Sequence, residues 1–304
     1  MTRRRPVEVL AIFGPTASGK SSVAEAMADE LSTEVVSADA LQVYRGLPLL
    51  TNQPAHPTRL VAIRSPDEQM TVGEYGALAH AAIDELVATN GWAVVTGGTG
   101  LYLRAALAEL EVPPAVDEGT RTRVTRAVED DPLSAHRRLA ILDSAAARAI
   151  HPNDRQRLVR ALALAESGSS VARTHDRLWA AETRRPTLVV GLEVTRVELE
   201  RRIRRRASEM FARGVVEEVR AALDAPLSRT VEKTLGLREI AALPRAEALE
   251  RIVVRTRRYA AYQQKWMRRI PNIVLVDGER PPTVVADEII RRVHEAHDAT
   301  RAPS

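Results

Sequence analysis

Residues 14–21 leave this chain few folds to choose from. They read Gly14-Pro15-Thr16-Ala17-Ser18-Gly19-Lys20-Ser21 and satisfy the phosphate-loop pattern G-x-x-x-x-G-K-[ST] at every fixed position. Such a loop works between a strand and a helix, and both flanks fit. Val7 to Phe13 is a short apolar run with the length and branching of a buried strand. Ser22 to Leu31 follows as an amphipathic helix, with Val23, Met27 and Leu31 on one stripe. Strand, glycine turn and helix N-terminus together make an anion cradle, because the backbone N–H groups point inward and the helix dipole favours negative charge. Lys20 neutralises phosphate there, and the Ser21 hydroxyl can reach a Mg²⁺. The bland alternative, a glycine turn that merely joins strand to helix, requires neither Lys20 nor Ser21. A phosphorylated ligand is expected.

Composition narrows the class. The 304 residues can bury a sizeable core, and 45% of them are hydrophobic, so the chain is globular. Aromatics are only 3%, which leaves the packing to Leu, Val, Ile and Ala. The absence of cysteine excludes disulfides, thiolate zinc sites and a cysteine nucleophile. A net charge of +4 permits an anionic partner without requiring one. Met1-Thr2-Arg3-Arg4-Arg5 has the charge of a leader, but the apolar run behind it is too short and enters the phosphate loop. No stretch approaches the roughly 20 apolar residues of a membrane span. A cytoplasmic protein with no membrane association is the expectation.

Strand and helix patterns alternate through the first hundred residues. Glu34–Ala38 reads as a second strand, closed by the turn Asp39-Ala40-Leu41-Gln42. Leu47 to Asp67 reads as a long loop, Val72 to Thr89 as a helix, and Trp92 to Thr96 as a third strand ending in Gly97-Gly98-Thr99-Gly100. Alternation of this kind predicts an α/β fold, a parallel sheet flanked by helices like those of the P-loop NTPases. Ligands of such sheets gather at the carboxyl ends of the strands, where the phosphate loop, Asp39 and Thr99 would share one cleft. From about Pro113 to Arg185 no strand pattern stands out, and residues 116–185 read as an all-helical insertion between core segments 1–115 and 186–304. Asn153 or Asp154 caps a helix from Arg155 to Glu166. Thr187–Leu192 is a fourth strand, Arg196 to Ala212 a long helix, Asn272–Val276 a late strand, and Val284 to about Ala296 the last helix.

Four clusters carry potential chemistry. Asp39 suits a general base or a Mg²⁺-shell carboxylate, against a plain Asx turn. Thr99 suits a substrate contact, against a plain glycine turn. Arg196, Arg201, Arg202, Arg204, Arg205 and Arg206 cover every face of one helix, so one or two can clamp phosphate while others pair with Glu198 and Glu200. Arg255, Arg257, Arg258, Lys265, Arg268 and Arg269 interleave Tyr259, Tyr262 and Trp266, which suits RNA or a solvated helix face equally. The seven histidines have no metal-ligand spacing, so no zinc is expected.

Taken in order, Gly-Pro-Thr-Ala-Ser-Gly-Lys-Ser at 14–21, Ser-Ala-Asp-Ala-Leu-Gln-Val-Tyr-Arg-Gly at 37–46, Gly-Gly-Thr-Gly-Leu-Tyr at 97–102, His-Pro-Asn-Asp at 151–154, Arg-Ile-x-x-Arg at 202–206 and Thr-Arg-Arg-Tyr-Ala with Gln263 and Trp266 resemble the tRNA dimethylallyltransferases, or isopentenyl-tRNA transferases. The resemblance runs from about residue 7 to 277. It implies transfer of a dimethylallyl group from dimethylallyl diphosphate to N6 of adenine 37 in tRNAs reading codons that begin with U. It implies a monomer whose helical insertion holds the anticodon stem-loop. The diphosphate sits on residues 14–21, a loop that older descriptions of the family treat as an ATP site. Asp39 is then the general base, and Lys20, Arg206 and a Mg²⁺ on Ser21 stabilise the leaving diphosphate. Thr99 is catalytic and, with Asp39, Ala40, Leu41 and Gln42, near the target nucleotide, while Arg121 is a tRNA contact.

The chain departs from the family pattern in several places. Ala40 stands where Ser is usual, Leu50-Thr51-Asn52-Gln53-Pro54 where Gly-Thr-Ala-Lys-Pro is usual, and Ala261-Tyr262 where Lys-Arg is usual. A paired His before an apolar run is replaced around Thr58-Arg59, and Gly-Tyr-x-Glu reads Gly236-Leu237-Arg238-Glu239. These changes bear on substrate range rather than on the core chemistry. Two rivals stand beside this expectation: a small-molecule phosphate-loop enzyme (a prenyltransferase on free adenine nucleotides or a metabolite kinase) and a catalytically silent RNA-binding protein.

Overall fold

Val9–Phe13 (β1) is apolar at every position, and all five residues are buried. A strand without polar alternates belongs inside a parallel sheet covered on both faces. The computed structural model describes residues 6–110, 116–171 and 181–301. In chain order β1 is followed by α1 (Lys20–Glu30), β2 (Val35–Ser37), β3 (Thr58–Arg59), α2 (Val72–Asn90), β4 (Ala93–Gly97) and α3 (Gly100–Leu107). Four helices come next: α4 (Glu118–Asp130), α5 (Pro132–Leu142), α6 (Ser144–Ala149) and α7 (Arg155–Glu166). The chain then forms β5 (Thr187–Glu193), α8 (Arg196–Ala212), α9 (Val215–Leu223), α10 (Leu237–Ala242), α11 (Arg245–Met267), β6 (Val274–Asp277) and α12 (Pro282–Arg301).

The six strands pair in the order β3-β2-β4-β1-β5-β6, every pair parallel. The register aligns their carboxyl ends. Phe13 lies opposite Gly97 and Gly191, and Ser37 lies opposite Thr96. The loops that leave β1, β2 and β4 therefore emerge at one edge, and this sets up the site. One face of the sheet buries Leu10, Ile12 and Val94 against Met27 of α1 and Ile289 of α12. On α2, Tyr75 is fully buried and stacks on Tyr102 of α3 with ring centroids 4.4 Å apart, and its hydroxyl donates to the Ser37 carbonyl at 2.9 Å. α2 itself starts on a capping box, in which Thr71 and Glu74 satisfy each other's orphan N–H groups.

The chain divides into two units, Met1–Glu109 with Ala181–Ser304, and Leu110–Ala180. The insertion was expected at 116–185. Arg184 and Arg185 stay with the sheet unit because Asp84 accepts from both at 2.6 Å and Glu8 pairs with Arg185 at 2.8 Å. In the smaller unit Val124, Val128, Leu139, Leu158 and Leu162 form a separate core. Each of its four helices starts on an aspartate: Asp117, Asp131, Asp143 and Asp154 accept from backbone N–H groups of the first turn. Asp154, rather than Asn153, caps α7. Asp131 takes two N–H groups, Leu133 and Ser134, each at 3.0 Å. Asp131→Ala is expected to lower stability by about 1 kcal/mol, read from chemical denaturation, because both N–H groups lose their partner.

Two elements differ from the sequence expectation. The stretch 47–67 contains β3, which pairs with β2 and is pinned by Arg59 donating to both oxygens of Glu34 at 2.8 and 2.9 Å. Two residues are too few to show a period, so only the pairing partner identifies the strand. The last helix is longer than 284–296, starting at Pro282, where the fixed φ suits a first turn. Among the described residues no helix is long and apolar enough to cross a membrane.

Candidate active site

The phosphate loop turns because two residues take left-handed backbone, Ala17 (φ 65) and Gly19 (φ 92). Gly14 has no room for a side chain, since a Cβ there would fall 2.5 Å from the Ser18 hydroxyl. Ser18 is wholly buried beneath the loop, and its N–H donates to Pro15 O at 3.1 Å. Lys20 and Ser21 open α1, so the free N–H groups of its first turn face the cleft.

Three side chains from the C-terminal helices grip this loop. Arg206 of α8 donates to the Thr16 hydroxyl at 2.9 Å. Arg202, one turn earlier, donates to Ser18 O at 3.0 Å and Gly278 O at 3.1 Å, with Glu198 holding its Nε. Gln263 of α11 accepts from the Thr16 N–H at 2.7 Å and donates to Gly98 O at 2.8 Å. Five of the six arginines of α8 are thereby sorted. Arg201 pairs with Glu198, Arg204 with Glu250 and Arg205 with Glu209, whereas Arg202 and Arg206 turn to the loop.

Thr16, Ala17, Lys20 and Ser21 line one cleft together with Asp39, Leu41, Gln42 and Arg206. Its other side is apolar, with Leu50, Ile203, Ala207, Met210, Leu235 and Ile252. A cleft that is cationic at one end and aliphatic along a wall suits an amphiphilic anion. Asp39 makes a turn and also borders the cleft. Its Oδ1 accepts from the Leu41 N–H at 2.9 Å, an Asx turn, and the same carboxylate lines the cleft. Its charge acts on Lys20 and Arg206. Burial pushes the Lys20 ammonium down to about 8, with Asp39 raising it and Arg206 lowering it further. Burial likewise lowers Arg206, again opposed by Asp39.

This value for Lys20 sets a pH dependence. The ammonium is charged below about pH 8 and loses its proton above it, so anion binding is strong on the acid side. The cleft's affinity for inorganic diphosphate should fall about tenfold per pH unit above that point, read from binding isotherms across a pH series.

β4 ends at Gly97, and Thr99, two residues on, is the N-cap of α3, but its side chain makes no cap hydrogen bond. Thr99 is not among the residues lining the cleft, whereas Tyr259 and Gln263 of α11 are. Burial pushes the Tyr259 phenol up to about 12. Gln42 lines the cleft, but its amide is already engaged. Its oxygen accepts from the Ser37 hydroxyl at 2.7 Å, and its nitrogen donates to Asn52 O at 2.7 Å. Ala40 is half-buried and outside the lining set. Arg121 lies in the other unit, exposed on α4.

The Arg/aromatic stretch of α11 splits by role. Arg255 pairs with Glu239, Arg257 pairs with Glu200 at 2.9 Å, and Trp266 covers Gly100, where a Cβ would come 2.0 Å from its ring. Arg258, Tyr262, Lys265 and Arg268 stay exposed. His151 accepts from the Asn153 N–H at 3.1 Å, a local turn contact. In the sequence Gln263 and Glu218 carry no assigned role, and Arg202 and Tyr259 count only as members of larger clusters. Both oxygens of Glu218 receive the N–H groups of Leu49 and Leu50, at 2.7 and 2.8 Å, and so hold the cleft loop. The sequence signals for the α11 pair were the family pattern that holds both residues and the i,i+4 spacing of Tyr259 and Gln263, which puts them on a common helix face.

The chain matches the IPP transferase family model over residues 42–270 and the isopentenyl transferase model over 7–61. It is 37% identical over 300 residues to a tRNA dimethylallyltransferase of Anaeromyxobacter dehalogenans, covering 94% of this chain and all of that one. A tRNA dimethylallyltransferase of Streptomyces coelicolor is 36% identical over 288 residues, covering 89% and 90%. The crystal structure of a full-length tRNA isopentenylpyrophosphate transferase from Bacillus halodurans superposes with a TM-score of 0.68 at 26% identity, covering 97% of this chain and 99% of that one. A eukaryotic dimethylallyltransferase acting on tRNA shares the fold with a TM-score of 0.80 at 22% identity, covering 98% and 80%. With the family model spanning most of its length and relatives matched end to end, this chain belongs to the IPP transferase family.

Proposed function

We propose that the protein transfers a dimethylallyl group from dimethylallyl diphosphate to N6 of an adenine in tRNA, at position 37 of tRNAs that read codons beginning with U. The observation that carries this is the single cleft in which Asp39 faces Lys20, Ser21 and Arg206 beside an aliphatic wall. The diphosphate of the donor takes the α1 amides, Lys20 and Arg206, and its five-carbon tail takes the wall of Leu50, Ile203 and Met210. An exocyclic adenine amine is a weak nucleophile, because its lone pair is delocalised into the ring, so its proton needs an acceptor. As the N6–C1 bond forms, the C1–O bond to diphosphate breaks, and the N6 proton passes to the Asp39 carboxylate. The bonding electrons leave with the diphosphate, whose growing charge Lys20 and Arg206 stabilise. An adenine in an unpaired loop leaves its stack cheaply to enter such a cleft.

A Mg²⁺ fits these residues. The Ser21 hydroxyl opens on the cleft beside Lys20, and no cluster of three or more His, Asp or Glu exists among the described residues, so most ligands would come from diphosphate oxygens and water. Ser21 would hold the ion, which when bound neutralises charge on the leaving diphosphate. The exposed Arg258, Lys265 and Arg268 on α11, and Arg121 in the helical unit, are available to tRNA phosphates. We place the enzyme in the cytoplasm as a monomer.

The test offers radiolabelled dimethylallyl diphosphate and Mg²⁺ to unmodified tRNA and to AMP in parallel. Label in tRNA alone, weakening as salt rises, supports the proposal. Label in AMP alone assigns the cleft to free nucleotides. ATP hydrolysis or a phosphorylated metabolite, with no prenyl transfer, contradicts it.

A further inference from the structure

We infer that Gln263 is the positioning residue that locks the phosphate loop to the Gly98-Thr99 turn, so that donor and acceptor meet at reacting distance. This rests on the proposed prenyl transfer, in which the loop binds the donor and Thr99 lies at the acceptor side.

Gln263 is 3% exposed, and its one amide joins two loops that are 247 and 165 residues away in sequence. The oxygen accepts from the Thr16 N–H, and the nitrogen donates to the Gly98 carbonyl. Only this orientation of the amide works, since the reverse would set N–H against N–H and carbonyl against carbonyl. The side-chain choice is equally narrow. Asn is one methylene too short to reach both groups, and an ionised Glu has no proton for Gly98 O. The Gly98 position is shaped to match, because a Cβ there would fall 2.3 Å from Nε2 of Gln263.

Two consequences follow. Thr16 is held by its N–H through Gln263 and by its hydroxyl through Arg206, so the mouth of the phosphate loop is fixed from α11 and α8 together. Its amide is thereby withdrawn from the anion-binding set, leaving the diphosphate to later N–H groups of the loop and α1. Gly98 is held by the same amide, so Thr16–Gln263–Gly98 is one hydrogen-bonded link from the phosphate loop to the turn that carries Thr99. Gln263 touches neither reacting atom in this scheme; it acts through the two loops.

The test uses the full-length enzyme with Q263M, Q263E and, as a control, M267A. Met267 lies on the same helix face but packs on Gly191 of β5, away from the cleft. Steady-state kcat and KM for dimethylallyl diphosphate at saturating tRNA are measured beside Tm. Misplacement of a reacting group by about 1 Å costs on the order of a hundredfold, so Q263M should lose about a hundredfold in kcat while its donor KM moves less than about threefold. Q263E keeps the acceptor for Thr16 and loses the donor to Gly98, and should fall between Q263M and wild type. M267A lowers Tm and leaves kcat near wild type. The inference is overturned if Q263M keeps wild-type kcat, if its loss lies wholly in donor KM, or if M267A loses as much kcat at a matched drop in Tm. Should Q263M fail to fold, Q263E decides, and wild-type kcat in it overturns the inference. A wild-type enzyme that prenylates no acceptor sinks the parent reading, whereas an active wild type beside an unaffected Q263M sinks this one alone.

Discussion

Asp39→Asn should slow prenyl transfer at saturating substrates by about 10²–10⁴-fold, the range a positioned general base supplies. The substitution is chosen for what it preserves. Asn keeps an oxygen for the Leu41 N–H, so the Asx turn at 2.9 Å survives and the backbone of the cleft stays in place. What it removes is the proton acceptor and the negative charge. Loss of that charge has a second signature. Asp39 raises both Lys20 and Arg206, so without it the Lys20 ammonium titrates below about 8. The alkaline limb of the diphosphate-affinity profile should therefore move to lower pH in the mutant. A loss of rate with an unmoved limb would place the Asp39 carboxylate away from Lys20. Wild-type rates in Asp39→Asn would remove it from the chemistry.

Lys20→Met carries the second largest effect. The side chain lines the cleft at the first residue of α1, where its charge and the free N–H groups of the helix converge on one anion. Removing a preorganised donor to a developing charge costs on the order of 10²–10³-fold, so kcat/KM for dimethylallyl diphosphate should fall by about that factor. The residual activity, carried by Arg206 and the amides, should be flat with pH above 7, because the group that titrates near 8 is gone. Arg202 offers the contrast. It grips Ser18 O and Gly278 O from outside the cleft, so its removal should act on the loop's stability more than on its charge.

Much of the framework was legible because it rests on local signals. The unbroken apolar run of β1, the glycine pattern of 14–21 and the apolar stripe of α1 each declare themselves within a dozen residues. The four aspartate caps of the helical unit are equally local, although only the one before α7 was singled out. The limits of legibility are those of long-range pairing. β3 is two residues long and exists only because β2 lies beside it. Gln263 carries nothing in its own neighbourhood to say that its partners are Thr16 and Gly98. The arginines of α8 show the same boundary from another side. Their number indicated that some must be solvated, but which ones turn inward depends on where the helix docks against the phosphate loop. Gln42 shows a further limit. Motif and position placed it beside the target nucleotide, while the structure also engages both ends of its amide in holding the cleft loop. A residue can be in the right place for substrate and already have its polar groups engaged, which only coordinates reveal.

The central claim is that this cleft moves a five-carbon group onto an exocyclic amine of a tRNA adenine. The most direct measurement is mass spectrometry of nucleosides and of mapped fragments, after unmodified tRNA is incubated with the enzyme, dimethylallyl diphosphate and Mg²⁺. The account predicts dimethylallyladenosine modified at N6, confined to the fragment carrying the adenine beside the anticodon, and absent when Asp39→Asn replaces the wild type. Dimethylallyl groups scattered over several fragments, or full modification by Asp39→Asn, would contradict it.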